Sequence, residues 1–208
     1  MNDMSAERNH IKVFVSSTVY DFENELHQIY ALLDGYGYDV CMSNEGTIPV
    51  NSKLSNMVNC MDAVENCDVF VGIIRPLLGS GILEKDGKSI TEQEFDKAFE
   101  KDMPYFVLAD YRVEFAHKFL NLMKQDLNLI PLYKEKVSNK DGKGIVEFRP
   151  NLLVHPQCVS IYRDAIRNNV YPLKERRGNW VQPYKDLEDI QRHLEAQFKD
   201  LERIKSLL

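Results

Sequence analysis

The stretch VFVSSTVYDFENEL, residues 13–26, decides the fold, because an apolar strand passes into an amphipathic helix here with almost no connection. The strand begins at Ile11 and is rich in Val and Phe, which is typical of a buried strand. Apolar residues then recur at helical spacing and predict a helix over about residues 19–34. Three hydroxyl residues, Ser16, Ser17 and Thr18, form the junction. Such a junction is either capping chemistry or half of a ligand site.

The same order of strand and helix repeats along the first half of the chain. Further strands are predicted at YDVCMS (38–43), DVFVGII (68–74) and MPYFVLAD (103–110), with helices over about 54–64 and 90–102 between them. Four strands that alternate with helices predict βαβ units and a parallel sheet. Since these strands lack polar alternation, we expect helices on both faces of the sheet, which is an α/β fold.

The second half of the chain is less regular. Helices are predicted over about 112–125 and 156–168, a hairpin around the Lys140–Gly144 turn, and a short strand in NWVQPY (179–184). Apolar residues spaced mostly by three and four after position 187 predict a long C-terminal helix.

We expect a single α/β domain over residues 1–208, with a core over 11–110 and a C-terminal elaboration over 111–208. The long C-terminal helix can pack on its own domain, which is the commoner outcome, or on a second copy to form a homo-oligomer.

Composition and charge exclude several classes of protein. The chain has 26 basic and 32 acidic residues and a net charge of −6, which argues against nucleic acid as a partner. The one basic stretch, LKERRGNW (173–180), is expected to be a solvated loop. No run of apolar residues is long enough for a membrane span, and the polar start shows no secretory signal. We therefore expect a cytoplasmic protein without a membrane partner.

The cysteines and histidines do not form a metal motif. Four cysteines occur without CxxC spacing, and five histidines are scattered along the chain. We expect reduced, partly buried thiols and no bound metal.

Three unusual stretches are predicted to meet at one rim, because ligands of an open parallel sheet bind beyond the carboxyl ends of its strands. They are Ser16–Thr18 after the first strand, the RPLLGSG loop (75–81) after the third, and SITEQE (89–94) at the start of a helix. Hydroxyls, a glycine loop and two carboxylates therefore converge. The carboxylate of a single acid, Glu94, is expected to face the serines across an open cleft.

Each of these motifs also has a purely structural interpretation. Thr18 with Asp21, and Thr91 with Glu94, have the spacing of a capping box, in which side chains satisfy free amides of the first helical turn. Ser89 offers another cap.

The alternative is chemical. Glu94 lies at the border of the buried helix face, where a carboxylate could attack or stabilise an oxocarbenium-like sugar. Glu92 could lie in the same cleft as Glu94. The two carboxylates would then form a pair, in which the pKa of one member is raised. Of the nearby aromatic residues, Tyr20 could stack a base, whereas Phe22 and Phe95 are expected in the core.

Four segments, in order and spacing, resemble a widespread bacterial family described as domain of unknown function 4062. They are KVFVSSTVYDFENEL, DVFVGIIRPLLGSG, SITEQEFDKAFEKDMPYFVLAD and NWVQPYKDLEDIQRHL. That family is distantly similar to nucleoside deoxyribosyltransferases and to Toll/interleukin-receptor (TIR) domains. The resemblance implies a flavodoxin-like or TIR-like parallel sheet.

In both of those groups a glutamate before the fourth strand serves cleavage of an N-glycosidic bond. Glu94, followed by Ala98 and MPYFVLAD, matches this pattern. The resemblance implies an N-glycosidase or transferase acting on NAD or a nucleoside or nucleotide, with a role in antiphage defence. Glu94 and Glu92 would be catalytic, and Ser16, Ser17, Thr18, Tyr20, Asp21, Gly79 and Ser80 would bind the ligand. Leu78 replaces the aromatic residue that family members carry before Gly79.

The alternative function is a non-catalytic, nucleotide-sensing or self-associating signalling module. No cofactor is expected beyond NAD or a nucleotide as substrate or ligand. Because many members of the family are fused to signalling or defence modules, a separate signalling protein is a further expected partner.

Overall fold

The computed structural model describes residues 10–78, 87–123, 134–138, 144–148, 153–166 and 181–208. Its strands are β1 (Lys12–Ser17), β2 (Asp39–Cys41), β3 (Val69–Ile74), β4 (Tyr105–Asp110), β5 (Lys134–Ser138), β6 (Gly144–Phe148) and β7 (Val181–Tyr184). Five of them form one parallel sheet in the order β2-β1-β3-β4-β7, and β5 and β6 pair separately as an antiparallel hairpin. The α/β prediction is therefore confirmed, and the strand order is flavodoxin-like.

Helices cover both faces of the sheet. They are α1 (Glu23–Gly35), α2 (Asn56–Glu65), α3 (Ile90–Glu100), α4 (Tyr111–Met123), α5 (Pro156–Ile166), α6 (Leu187–Phe198) and α7 (Leu201–Lys205). α1 and α6 pack on one face, and α2, α3 and α5 pack on the other. None of the helices in the described ranges is both long and apolar enough to cross a membrane.

Successive residues of β1 point to opposite faces, so the strand contributes to two separate cores. Val13 and Val15 pack with α1 and α6, whereas Phe14 packs with α2 and α3. Phe14 stacks on Phe70 of β3 with ring centroids 6.0 Å apart, and Phe70 meets the edge of Phe95 at 5.1 Å. Each fully buried ring stabilises the fold by about 1.5–3 kcal/mol. Ser16, two residues after Phe14, therefore faces α3.

Gly72 of β3 lets α3 approach the sheet closely. It pairs in register with Ser16 of β1. A Cβ at this position would lie 2.3 Å from the ring of Phe95, which is too close for any real contact. Because Gly72 has no side chain, Phe95 can pack directly against β3. Glu94 is adjacent to Phe95 on α3 and is thereby brought close to Ser16.

We expect Gly72→Ala to lower the free energy of unfolding by about 3 kcal/mol, because overpacking a dense core displaces side chains. Urea denaturation of purified protein measures the loss. Gly35→Ala is the matched control, since nothing lies within 4 Å of its Cβ position, and its stability should change by less than about 0.5 kcal/mol. Equal effects of the two substitutions would show that the packing of Phe95 on Gly72 is not tight.

The predicted elements are present with shifted ends. The hairpin and the strand after residue 180 are confirmed. The first helix begins at Glu23, not near position 19, because Asp21 adopts a left-handed conformation with φ +55° and interrupts the backbone pattern.

The C-terminal helix is two helices, not one. α6 ends at Phe198, and Asp200 caps the start of α7 by accepting a hydrogen bond from the Arg203 amide at 3.1 Å. Its apolar residues pack within the chain, where Ile190, Leu194 and Ile204 are buried. Packing on its own domain is therefore the alternative that the structure favours. The basic stretch 173–180 lies outside the described residues.

Candidate functional site

Glu94 lies on α3 with its carboxylate against the end of β1. Its side chain is only 6% exposed. It accepts a hydrogen bond of 2.5 Å from the Ser16 hydroxyl to Oε2. The helix is capped by Ser89, which accepts from the Glu92 amide at 3.1 Å. Glu94 therefore does not serve as a capping residue, and the capping-box interpretation of Thr91 and Glu94 is wrong.

Burial changes the acidity of Glu94. Loss of water around the carboxylate raises its pKa from 4.5 to about 7, while hydrogen bonds from Ser16 and from the Cys60 thiol oppose the change. Near neutral pH the group therefore exists in both protonation states. Such an acid can donate a proton in one step and act as a carboxylate in another.

A cleft opens beside this acid. It has a volume of about 460 Å³ and lies beyond the carboxyl ends of β1 and β2, next to the first turns of α2 and α3. This size is within the range of small-molecule sites. Its lining residues are Ser17, Thr18, Val19, Tyr20, Ser43, Gly46, Ile48, Val50, Asn56, Asn59, Cys60, Ile90, Thr91 and Glu94.

The cleft brings together part of the predicted site. Ser17, Thr18, Tyr20 and Glu94 line it, and Tyr20 is 55% exposed. Ser16 bonds Glu94 directly, so no gap separates the two, and the open space lies to one side of the pair. Phe22 and Phe95 are buried in the core, as predicted.

One of the described candidates, Asp21, is not brought to the cleft. Asp21 is exposed and does not line it, and the capping role proposed for Thr18 and Asp21 is wrong, because Phe22 occupies the N-cap position without a side-chain bond. Gly79 and Ser80 lie outside the described residues.

Glu92 points away from Glu94, since residues two apart lie on different sides of a helix. It faces α5, where its negative charge interacts electrostatically with Cys158 and with the carboxylate of Asp164. One carboxylate oxygen is buried without a hydrogen-bond partner, and burial raises the pKa of Glu92. The two acids therefore do not form a carboxylate pair.

Arg75, at the end of β3, holds the loop that carries the cleft hydroxyls. Its guanidinium is buried and donates to the carbonyl oxygens of Thr18 (3.2 Å), Tyr20 and Asp21 (3.5 Å). It also lies 4.5 Å from the ring centre of Phe22. Sequence reasoning missed this residue, although an arginine directly after a buried parallel strand was a usable signal.

Replacing Arg75 by methionine removes the donors but keeps an apolar stem. We expect a loss of about 2–3 kcal/mol in the free energy of unfolding, because buried carbonyl groups are left without partners. We also expect faster amide hydrogen exchange at Val19 to Phe22. Urea denaturation and hydrogen–deuterium exchange measure the two effects. Unchanged exchange in this loop would contradict a positioning role for Arg75.

Asn59 fixes the opposite wall. Its side-chain oxygen accepts from the Asn51 amide at 2.8 Å. Its nitrogen donates to the carbonyl oxygens of Asn51 and Ser55 at 3.2 and 3.1 Å. The loop that enters α2 is thereby tied to the first turn of that helix, which keeps the cleft wall in place.

Within the described ranges, no cluster of three or more His, Cys, Asp or Glu side chains could hold a metal ion. All four cysteines are free and buried.

Comparison with protein-family models gives a match. The family model described as domain of unknown function (DUF4062) matches residues 12–152. This range contains β1 to β6 and all of the lining residues of the cleft. No curated protein matches the chain.

Proposed function

The chain belongs to the DUF4062 family, a domain of unknown function, and we propose that its cleft cleaves an N-glycosidic bond. The substrate is NAD or a nucleoside or nucleotide. The observation that carries this proposal is the buried acid at the cleft, with a pKa of about 7 and a hydrogen bond from Ser16.

Glu94 is the catalytic group in this mechanism. As the C1′–N bond breaks, its electron pair leaves with the base, and positive charge develops on the sugar ring. The ionised carboxylate of Glu94 either stabilises that charge or forms a bond to C1′, after which water or an acceptor base completes the reaction. A neutral nucleoside base is protonated as it departs, whereas the cationic nicotinamide ring of NAD takes the electron pair and leaves as neutral nicotinamide without a proton.

The side-chain hydroxyls of Ser17 and Thr18 bind the sugar. Ser17 and Thr18 line the cleft beside Glu94, and hydroxyl groups pair well with the hydroxyls of a ribose or deoxyribose. Tyr20, more than half exposed at the cleft, can stack on the base. The Arg75 contacts fix this loop before the substrate arrives, which lowers the entropy cost of binding.

The test is direct detection of the free base. Purified protein is incubated with NAD and with a panel of ribo- and deoxyribonucleosides and their 5′-phosphates, and the products are separated by liquid chromatography. We expect release of nicotinamide or of a nucleobase from at least one compound. Absence of any released base at high protein concentration, with and without an acceptor base, would contradict cleavage.

A second function, a nucleotide-sensing module without turnover, is favoured by one observation. The Glu94 carboxylate already has a hydrogen-bond partner and is only 6% exposed, which is also the state of a purely structural acid. In this case calorimetry shows nucleotide binding without product. Self-association through the C-terminal helices would need surfaces other than their buried apolar residues. With either function, we also propose an antiphage role and a separate signalling partner.

A further inference from the structure

Val50 lies on the loop between β2 and α2 and lines the cleft beside Glu94. Its side chain is 71% exposed, the highest fraction among the large apolar side chains in the part of the chain that the structure describes. The loop between β1 and α1 presents a second exposed ring, that of Tyr20, to the same cleft. Two large exposed side chains on separate loops are therefore open to water at one site.

The backbone of Val50 is fixed on both sides. Ile48, two residues earlier, is buried in the core, and the ring of Pro49 restricts the backbone between the two. On the other side, the Asn51 amide donates to Oδ1 of Asn59 at 2.8 Å, and Nδ2 of Asn59 donates to the Asn51 carbonyl at 3.2 Å. The fold therefore holds Val50 in its exposed position.

Tyr20 is held in a similar way. Its carbonyl oxygen and that of Thr18 accept hydrogen bonds from the guanidinium of Arg75. Arg75 and Asn59 are both buried, so one buried polar side chain fixes the loop on each side. A single exposed apolar residue needs no explanation. Two that are held at the same cleft present apolar surface that a bound ligand would remove from water.

Exposure changes across the cleft. Glu94 and Thr18 are buried, whereas Tyr20 and Val50 are exposed. The groups suited to the sugar therefore lie at the inner end, and the large exposed side chains lie at the mouth. A nucleoside has the same division, because its sugar carries hydroxyl groups and its base has flat faces that stack. With C1′ of the sugar at Glu94, the attached base extends toward the mouth.

We propose that Val50 is a base-binding residue, which packs on one face of a planar heteroaromatic base while the ring of Tyr20 stacks on the other face. This inference rests on the proposed function, because it takes a nucleoside or a related compound as the ligand. Nucleobases and nicotinamide all offer flat faces, so the two side chains recognise a class of rings and not one base. Val50 contributes to binding and takes no part in breaking the bond.

The experiment detects the contact without turnover. The full chain is prepared with ¹³C-labelled valine methyl groups and titrated with adenosine, with cytidine and with NAD. The Val50 signals are assigned by their absence from Val50→Ser. We expect them to move upfield with at least one compound, because the ring current of a stacked base shields a methyl group above its face. The signals of Val13, buried in the core between the sheet and α1, should stay in place.

Substitution gives a second readout. We expect Val50→Ser to raise the Kd or KM of that compound about three- to tenfold, because an apolar contact is lost, and to leave kcat within about twofold. The exposed position of Val50 makes unfolding of the variant no concern. Leu54→Ser is the matched control, since Leu54 is on the same loop and 41% exposed but does not line the cleft. Its Kd or KM should stay within about twofold of the wild-type value.

The outcomes separate this inference from the cleavage reaction. An upfield shift of Val50 without any released base supports the base-binding role and contradicts cleavage alone. Released base without a shift of Val50 overturns the role of Val50 and leaves cleavage in place. No shift of Val50 with any of the three compounds, or equal weakening by Val50→Ser and Leu54→Ser, would likewise overturn it.

Discussion

Glu94→Gln is expected to lower the rate of base release by about 10²–10⁴-fold, the range found when a general acid or base is removed. The amide keeps the size of the side chain and an oxygen that accepts from Ser16, so the packing of α3 on β1 is preserved. It has no negative charge to stabilise the sugar cation and no acidic proton to donate. The loss should therefore appear mainly in kcat.

Glu92→Gln is the matched control for this experiment. It changes the same chemical group two residues away on the same helix, but Glu92 does not line the cleft. We expect its rate to stay within about twofold of the wild-type protein, because Glu92 faces α5 and does not line the cleft. If Glu94→Gln retained full activity, or if Glu92→Gln lost as much, the role given to Glu94 would be wrong.

Glu94→Gln is also expected to stabilise the protein at alkaline pH, which provides a test without a substrate. The pKa of Glu94 is raised from 4.5 to about 7 in the folded protein, so the fold binds this proton more tightly than the unfolded chain does. The resulting stability is fully present below pH 4.5 and is lost as the pH rises through about 7. Above this window the folded wild-type protein has to bury a charge.

The size of the effect follows from the shift. A shift from 4.5 to about 7 corresponds to about 3 kcal/mol between the acidic and alkaline plateaus. For a chain of this size, this is roughly 6–12 °C in melting temperature. The free energy of unfolding of both proteins is measured by urea denaturation at several pH values.

All other titrating groups are shared by the two proteins, so the difference between their curves isolates Glu94. We expect the variant to gain stability relative to the wild-type protein from about pH 5 to about pH 8. A difference in the free energy of unfolding that stays constant over this pH range would show that folding does not raise the pKa of Glu94. A relative loss of stability at high pH would mean that the charge itself stabilises the structure.

Much of the fold followed from local patterns in the sequence. Apolar runs such as VFVGII of β3 and the spacing of Leu26, Ile29 and Leu33 in α1 are strong signals, because burial on one or both sides leaves few alternatives. The alternation of strand and helix then limits the topology to a parallel sheet. The break at Asp200 was missed, since the apolar spacing continues across it to Ile204.

The site was predictable in part. The rule that ligands bind beyond the carboxyl ends of parallel strands placed Ser17, Thr18 and Glu94 at one rim, and the cleft includes all three. The sequence could not reveal the direct bond from Ser16 to Glu94. This bond depends on how closely α3 approaches β3, which is set by Gly72 and Phe95.

Contacts made by the backbone were also beyond the sequence. The role of Arg75 depends on the carbonyl groups of the loop around Tyr20, and the identity of those residues has little influence on it. The separation of Glu92 from Glu94 follows from the rotation of α3 about its axis, which apolar spacing fixes only approximately. Helix caps were similarly ambiguous, because Ser89 and Thr91 both have suitable side chains and Ser89 alone is used.

The chemistry proposed for the cleft rests on a buried acid, Glu94, whose pKa is raised from the ordinary value to about 7. The most direct measurement is a ¹³C NMR titration of the Glu94 carboxyl carbon, assigned by its absence from Glu94→Gln. We expect a midpoint at about 7 that moves upward in Ser16→Ala, since the lost hydrogen bond stabilises the charged form. A midpoint near 4.5, the ordinary value for glutamate, with no response to Ser16→Ala, would contradict a buried acid at this cleft.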